Sequence, residues 1–507
     1  LTFPDDPAGG ISLDNTRELV LDVLMEVLEK GAYSHQVIRD VLDKYNYSEG
    51  RDKAFVKRMA EGTLERLIQI DYILNQFSKV PVSKMKPLIR NLLRMSVYQM
   101  LFMDSIPERA VCNEAVKLAG KRGFRGLSGF VNGVLRNIAR KREDIVYPDK
   151  ELEPERYMSV TYSMPLWLVE MWISAYGREN TSRMLEGLLK EHPVTVRLCE
   201  DIGVERKEAW LAGLKQEGVE AEQHPYLANA YRLLHTEGVR NLPGFEEGYF
   251  AVQDVSSMLA VEISGAGTGS LLPEESGADE GILVRKPSGQ STGSGYRKPE
   301  DGGIVAADVC ASPGGKSLYM AEKLKGTGKV ISRDLTEYKV SLIRDNIERM
   351  GCRNIEVQIH DAGILDESLV EQADILLADL PCSGLGVMGK KRDIKYKATQ
   401  ESLAELAALQ RKILDVVWQY VKPGGVLVYS TCTVNPGENQ EIVEWFTANY
   451  PFEREDMSPF LPEALKEEGR EGWLQLLPGI HESDGFFLAR LRRRQKEPGN
   501  AMGIPTK

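Results

Sequence analysis

Ala307-Asp308-Val309-Cys310-Ala311-Ser312-Pro313-Gly314-Gly315-Lys316-Ser317 reads as the end of a strand, a glycine-rich turn and the first turn of a helix. Adjacent glycines let a bound molecule approach the backbone closely, because neither carries a side chain. The elements around the turn decide the fold. Strands expected over 304–309, 329–333, 355–359, 374–379 and 425–430 alternate with helices near 315–325, 336–349, 401–421 and 438–448. That alternation builds a doubly wound, Rossmann-like parallel sheet. Gly485-Phe-Phe-Leu-Ala-Arg-Leu491 suits a last strand, antiparallel and on the far edge.

Working outward, 507 residues are too many for one ordinary core, so several domains are expected. Residues 10–142 read as an all-α domain. Asn15 can cap a helix whose apolar stripe is Leu19, Val20, Val23, Leu24, Val27 and Leu28, and similar stripes recur at 52–75, 83–103, 109–120 and 126–140. Residues 155–262 mix types: Met164-Pro165 opens a helix with core tryptophans Trp167 and Trp172, and Pro193-Val-Thr-Val-Arg-Leu198 alternates as a strand. This is the pattern of a small α+β domain. Ten glycines fall between Ser264 and Gly303, too little apolar material to offset the entropy of ordering, so 264–303 reads as a flexible insertion. Residues 304–495 complete the chain as the α/β domain.

Hydrophobic content of 42% and charged content of 27% are those of a soluble globular protein. No run is long and apolar enough for a membrane helix, and Leu1-Thr-Phe-Pro-Asp-Asp6 does not read as a secretory leader, so a cytoplasmic protein is expected. The net charge of −11 argues against a nucleic-acid partner only until its distribution is considered. The acid is concentrated in 141–303, with 28 Asp and Glu against 17 Lys and Arg, while the first 140 residues carry a small basic excess. Basic clusters stand at Lys121-Arg122, Lys390-Lys391-Arg392 with Lys395, and 490–496. A solvated surface is the ordinary reading of any one of them. The six cysteines contain no Cys-x-x-Cys, so no metal site is expected, and Cys112, Cys199 and Cys352 read as small buried hydrophobes.

In such a sheet the ligand binds outside the carboxyl ends of the strands, where strand order reverses. The turn matches neither a dinucleotide fingerprint nor a phosphate loop. Asp334 ends the second strand and Asp361 follows the third; the first can accept from ribose hydroxyls and the second from an adenine amino group. With no phosphate motif, S-adenosylmethionine is the natural cofactor. Cys382 in Asp379-Leu-Pro-Cys-Ser-Gly384 and Cys432 in Ser430-Thr-Cys-Thr433 end the fourth and fifth strands, which as neighbours lie about 5 Å apart. A structural thiol, a redox disulfide and a metal pair are the plainer readings of two cysteines. Over a cofactor turn, methylation of a pyrimidine carbon fits better: C5 of cytosine becomes nucleophilic when a thiolate adds at C6. Asp379 can serve N3, and a second thiol suits the later release of the first.

These motifs resemble the RNA 5-methylcytosine methyltransferase family, the Fmu/Sun or NOL1/NOP2 group, on Asp308-Val-Cys-Ala-Ser-Pro-Gly-Gly-Lys-Ser317, Asp379-Leu-Pro-Cys-Ser-Gly384 and Ser430-Thr-Cys-Thr-Val-Asn-Pro-Gly-Glu-Asn439. The resemblance implies that Cys432 is the nucleophile, that Cys382 assists product release, and that Cys310, Ala311, Ser312, Pro313, Gly314, Gly315, Lys316, Asp334, Asp361 and Asp379 line the S-adenosylmethionine site. Residues 15–140, with Ile89-Arg-Asn-Leu-Leu-Arg94, Tyr98-Gln-Met-Leu-Phe102 and Asn113-Glu-Ala-Val-Lys117, are similar to the NusB-type RNA-binding domain. That fusion implies a monomeric bacterial enzyme acting on 16S ribosomal RNA. Lys390, Lys391, Arg392 and Lys395 are expected to hold RNA phosphates beside the site. The chain has Arg197-Leu-Cys199 where the family often has Arg-x-Asn, and Arg392 where it often has proline. Methylation of transfer RNA, and a NusB-like assembly factor with an inert methyltransferase domain, are the competing readings.

Overall fold

A computed structural model describes residues 13–44, 50–103, 106–190, 193–236, 238–268 and 303–495. The chain forms two compact units, one of residues 1–192 with 387–398, the other of 193–386 with 399–507.

The first unit is helical. Helix Leu13–Lys30 buries the expected stripe, Leu19 to Val27, against helix Pro87–Phe102 and its neighbours. The latter is buried almost all round, as a central helix should be, and Pro87 occupies its first turn where no N–H is needed. Three of its polar side chains form ion pairs or amide hydrogen bonds: Arg94 grips Asp71 through two bonds of 2.8 and 2.6 Å, and Arg90 and Asn91 both reach Glu29. Two details differ from the periodicity. The stripe over 52–75 is two helices, Gly50–Glu65 and Leu67–Phe77, broken at Arg66, and Ser34–Lys44 is a further helix whose apolar positions are too few to stand out. Asn15 lies inside the first helix rather than at its cap. Helix Leu166–Leu188, expected in the middle domain, and helix Pro154–Thr161 before it belong to this unit, where the Ser163 hydroxyl accepts from Ile68 N–H at 2.9 Å. Trp172 is fully buried and Trp167 half-buried.

Residues 387–398 follow the Cys382 loop in sequence yet pack on these helices. Asp393 accepts from both the backbone and the hydroxyl of Ser34, satisfying the start of helix Ser34–Lys44. Arg392 bridges Glu61 and Glu65 at 2.8 and 3.0 Å, Lys395 donates to the Glu65 carbonyl at 2.8 Å, and Lys397 donates to that of Ala32. Burial drives the Lys395 amine down to about 7. A lysine in an unfolded chain titrates near ~10.4, so between about pH 7 and 10 the unfolded chain holds a proton that the folded one lacks, and stability rises with pH across that window. Lys395→Met keeps the stem and drops the amine. It is expected to raise the melting temperature most at and below pH 7, with the gap over the wild type closing toward pH 10 in a thermal-unfolding series.

The second unit carries two sheets. β1 (Val194–Leu198), β2 (Glu220–Gln223), β3 (Ala230–Leu234) and β4 (Phe250–Val252) form an antiparallel sheet in the order β2-β3-β1-β4, packed on Trp210 and Leu214 of helix Val204–Gln216. Arg197 of β1 is fully buried: it donates to Gln253 at 2.9 Å and Glu322 at 2.5 Å, and its guanidinium lies 4.4 Å from the centre of the Tyr319 ring. It therefore ties this sheet to helix Gly315–Lys323 rather than facing outward.

The larger sheet contains β5 (Ile304–Asp308), β6 (Gly328–Asp334), β7 (Ile355–Ile359), β8 (Ala373–Asp379), β9 (Val421–Thr431), β10 (Phe452–Arg454), β11 (Trp473–Leu476) and β12 (Phe486–Arg493). Its order is β10-β12-β9-β8-β5-β6-β7, with β11 also paired to β12. β5 to β9 are parallel, and the chain runs outward through β6 and β7, then returns to the other side of β5 at β8, so the switch point lies between β5 and β8. β12 is antiparallel as expected but is not an edge: β10 and β11 cover it, and all eight of its residues are buried. The insertion read over 264–303 lies, from 269 to 302, outside the described residues, while Ser264 and Ala266 are buried. Among the described residues no helix is long and apolar enough to cross a membrane and no cluster of three or more His, Cys, Asp or Glu could hold a metal.

Candidate active site

Every expected catalytic residue sits at the carboxyl ends of β8 and β9. Their register pairs Asp379 with Ser430, so both motifs leave the sheet side by side. The Sγ atoms of Cys382 and Cys432 stand 3.2 Å apart, both half-buried. The thiol of Cys382 is pushed well up by its hydrogen bond with Cys432, then by burial and the nearby Glu438 and Asp379. Either thiol can donate to the other across this contact. Asp379 accepts from Lys316 Nζ at 2.6 Å and from the Ser430 hydroxyl at 2.9 Å. Burial alone lowers Lys316; Asp379 outweighs it, and the amine is held above its ordinary value. Its Nζ also lies 5.4 Å from the centre of the Phe486 ring.

The turn after β5 is next to them. Gly314 has φ of +101°, a conformation that side chains disfavour, and opens helix Gly315–Lys323. A Cβ on Gly315 would stand 3.5 Å from the Gln253 side chain. Asp334 at the end of β6 accepts from the Ser312 and Leu335 amides at 2.9 and 2.7 Å and pairs with Lys339. Asp361 is exposed after β7 and accepts from the Gly363 amide. Leu335, which directly follows Asp334, is 55% exposed. A glycine turn, two accepting carboxylates and an exposed apolar side chain at the carboxyl ends of β5, β6 and β7 are the groups a nucleoside cofactor needs. Beneath the turn, Asp308 takes a hydrogen bond from Ser317, and burial pushes its carboxyl up to about 7. Burial also raises the Cys310 thiol, which leaves it unsuited to act as a thiolate.

The basic cluster divides. Lys390 and Lys391 are exposed, whereas Arg392 is spent on Glu61 and Glu65 and Lys395 is 5% exposed against the Glu65 carbonyl, so these two serve the helical unit and not phosphates. Lys121 and Arg122 are likewise paired, with Glu18 and Asp22. Gln253, Leu335, Phe486 and Glu438 were not singled out as site residues from the sequence. Glu438 lies within the quoted Asn435-Pro-Gly-Glu-Asn439 run; the other three sit by the crevice only through tertiary packing.

Fold and crevice together define a nucleoside-cofactor transferase of the methyltransferase type with a thiol pair at the ends of β8 and β9. Residues 297–492 match the family model described as 16S rRNA methyltransferase RsmB/F, residues 14–140 the NusB family, and residues 164–240 the RsmF/B-like ferredoxin-like domain. The chain is 35% identical over 95% of its length, and 99% of the relative's, to the probable ribosomal RNA small subunit methyltransferase B of Bacillus subtilis. It is 30% identical, over the same shares, to the ribosomal RNA small subunit methyltransferase B of Klebsiella pneumoniae. The crystal structure of PH0851 shares the fold at a TM-score of 0.72 and 22% identity, covering 96% of this chain and 100% of that one. The chain belongs to the ribosomal RNA small subunit methyltransferase B family.

Proposed function

We propose that this chain methylates C5 of a cytosine in 16S ribosomal RNA, in the cytoplasm, through a covalent bond between Cys432 and C6. The observation that carries the reading is the 3.2 Å thiol pair beside Asp379, Lys316 and the Gly314-Gly315 turn. The Cys432 thiolate adds to C6 and the electron pair shifts toward N3, which takes a proton from solvent and donates it to Asp379, itself held by Lys316 and Ser430. S-adenosylmethionine, held by the turn with Asp334 and Asp361, supplies an electrophilic sulfonium methyl that the activated C5 takes. The C5 proton then leaves to solvent, the C5–C6 double bond re-forms, the C6–S bond breaks and returns its electron pair to Cys432, and N3 gives its proton back to solvent. Cys382, within contact of that sulfur, serves this release. To reach C6 and C5 the base must leave its stack, which costs a few kcal/mol and least in loops.

Lys390 and Lys391 are proposed phosphate contacts for the RNA. The test compares labelled-methyl incorporation into unmodified 16S ribosomal RNA and unmodified transfer RNA, with the modified base identified by mass spectrometry. Label appearing as 5-methylcytosine in 16S alone is expected; equal or preferential labelling of transfer RNA would overturn the substrate, and label on another base would overturn the chemistry.

A further inference from the structure

Four hydrogen-bond donors converge on the side chain of Glu438, which is fully buried and has no part in the chemistry above. The Ser383 amide and Gln410 Nε2 reach Oε2 at 2.9 and 3.2 Å; the Ser383 hydroxyl and Asn435 Nδ2 reach Oε1 at 2.5 and 3.0 Å. Ser383 is the residue after Cys382, and Asn435 stands three after Cys432, so one carboxylate holds both thiol loops. A second link runs between the residues that follow the two cysteines: the Ser383 and Thr433 hydroxyls are 2.7 Å apart. Ser383 spends its proton on Glu438, so Thr433 is the donor there. The Glu438 backbone is pinned in turn, its carbonyl accepting from the Tyr429 hydroxyl at 2.5 Å.

A buried carboxylate is costly unless fully paired, and apolar packing joins β8 to β9 along most of their length. What the carboxylate adds is direction, since it fixes the Ser383 amide and hydroxyl together and with them the placement of the preceding thiol. We propose that Glu438 is a positioning residue for product release, which sets Cys382 against the sulfur of Cys432 once that sulfur is bonded to the base. The proposal rests on the roles given to the two thiols above. Without Glu438 the Cys382 loop loses its amide anchor, while the turn that holds the cofactor is untouched. A displacement of about 1 Å at a reacting group costs up to about 100-fold in the step it serves.

The test uses the full chain, unmodified 16S ribosomal RNA and S-adenosylmethionine, and follows the RNA–protein adduct on denaturing gels, single-turnover methyl incorporation, steady-state turnover and cofactor affinity. Glu438→Ala is expected to accumulate the methylated adduct and to lose turnover by about 100-fold, with single-turnover incorporation and cofactor affinity retained. Glu438→Gln, which still offers one oxygen to the Ser383 amide, is expected to recover part of the turnover. Resolution of the adduct at the wild-type rate in Glu438→Ala overturns the proposal, as does a loss of cofactor affinity and methyl incorporation in step with turnover. If Glu438→Ala does not fold, Thr433→Val, which removes the links of that hydroxyl to Ser383 and to the Asn435 amide and leaves Glu438 in place, decides on the same readouts. A wild-type protein that methylates cytosine without any adduct overturns the thiol chemistry itself, an outcome separate from these.

Discussion

The Cys432→Ala variant is expected to form no RNA–protein adduct and to lose methyl transfer by more than about 10⁴-fold, the scale on which removing a catalytic nucleophile acts. Cys382→Ala is expected to behave oppositely: it adds to C6 and transfers one methyl, then stays bound to its RNA as a denaturation-resistant adduct. The contrast follows from the roles proposed for the two thiols. The bond with Cys432, burial and the neighbouring Glu438 and Asp379 all raise the Cys382 thiol, which disfavours its thiolate. Gel-shift assays with labelled cofactor distinguish the two variants in one experiment. Adduct from Cys432→Ala and none from Cys382→Ala would reverse the roles.

Gly386→Ala is expected to cost about 3 kcal/mol of stability, at the upper end for forcing an extra methyl into a packed site, and to lower activity beyond that loss. A Cβ at Gly386 would stand 1.8 Å from the Gly485 carbonyl oxygen and 2.9 Å from that of Cys432, and backbone cannot swing aside. Gly386 N–H also donates to the Cys432 carbonyl at 3.1 Å, and the Gly485 amide donates to the Gly386 carbonyl at 3.0 Å. The added methyl therefore pushes on the nucleophile's own peptide. Gly120→Ala is the matched control: it lies in helix Glu108–Lys121 with nothing within 4 Å of the added carbon, and is expected to be neutral or stabilising by up to about 1 kcal/mol. Denaturant melts measure both. An unperturbed Gly386→Ala would mean that β12 and the Cys382 loop are less tightly joined than these distances require.

The parallel core was legible because each strand is a short apolar run closed by a turn signal, and β5 to β9 fall where those runs do. The position of β12 was not: Phe486 to Leu491 look the same at an edge as in the middle, and only β10 and β11, short strands of mixed character, make it internal. The catalytic motifs were legible as a set because their spacing from strand ends places them in one crevice. Charge was the least readable quantity. Lys390 and Arg392 are equivalent as letters, and only the opposing carboxylates of Glu61 and Glu65, more than 300 residues upstream, convert Arg392 from a phosphate contact into an internal ion pair. Glu438 was hidden for the same reason, since its four partners come from three segments.

The passage of residues 387–398 across the helices bears on the order of events during synthesis. Helices 13–140 leave the ribosome early, but the amide, carboxylates and carbonyl that Asp393, Arg392 and Lys395 satisfy wait for a segment made some 250 residues later. At bacterial rates of about 5–20 residues per second, that is roughly ten to fifty seconds in which Ser34 and Glu61 face solvent. The nascent helical unit is thus a near-complete body with a vacant strip, and it closes only after Cys382 has been translated.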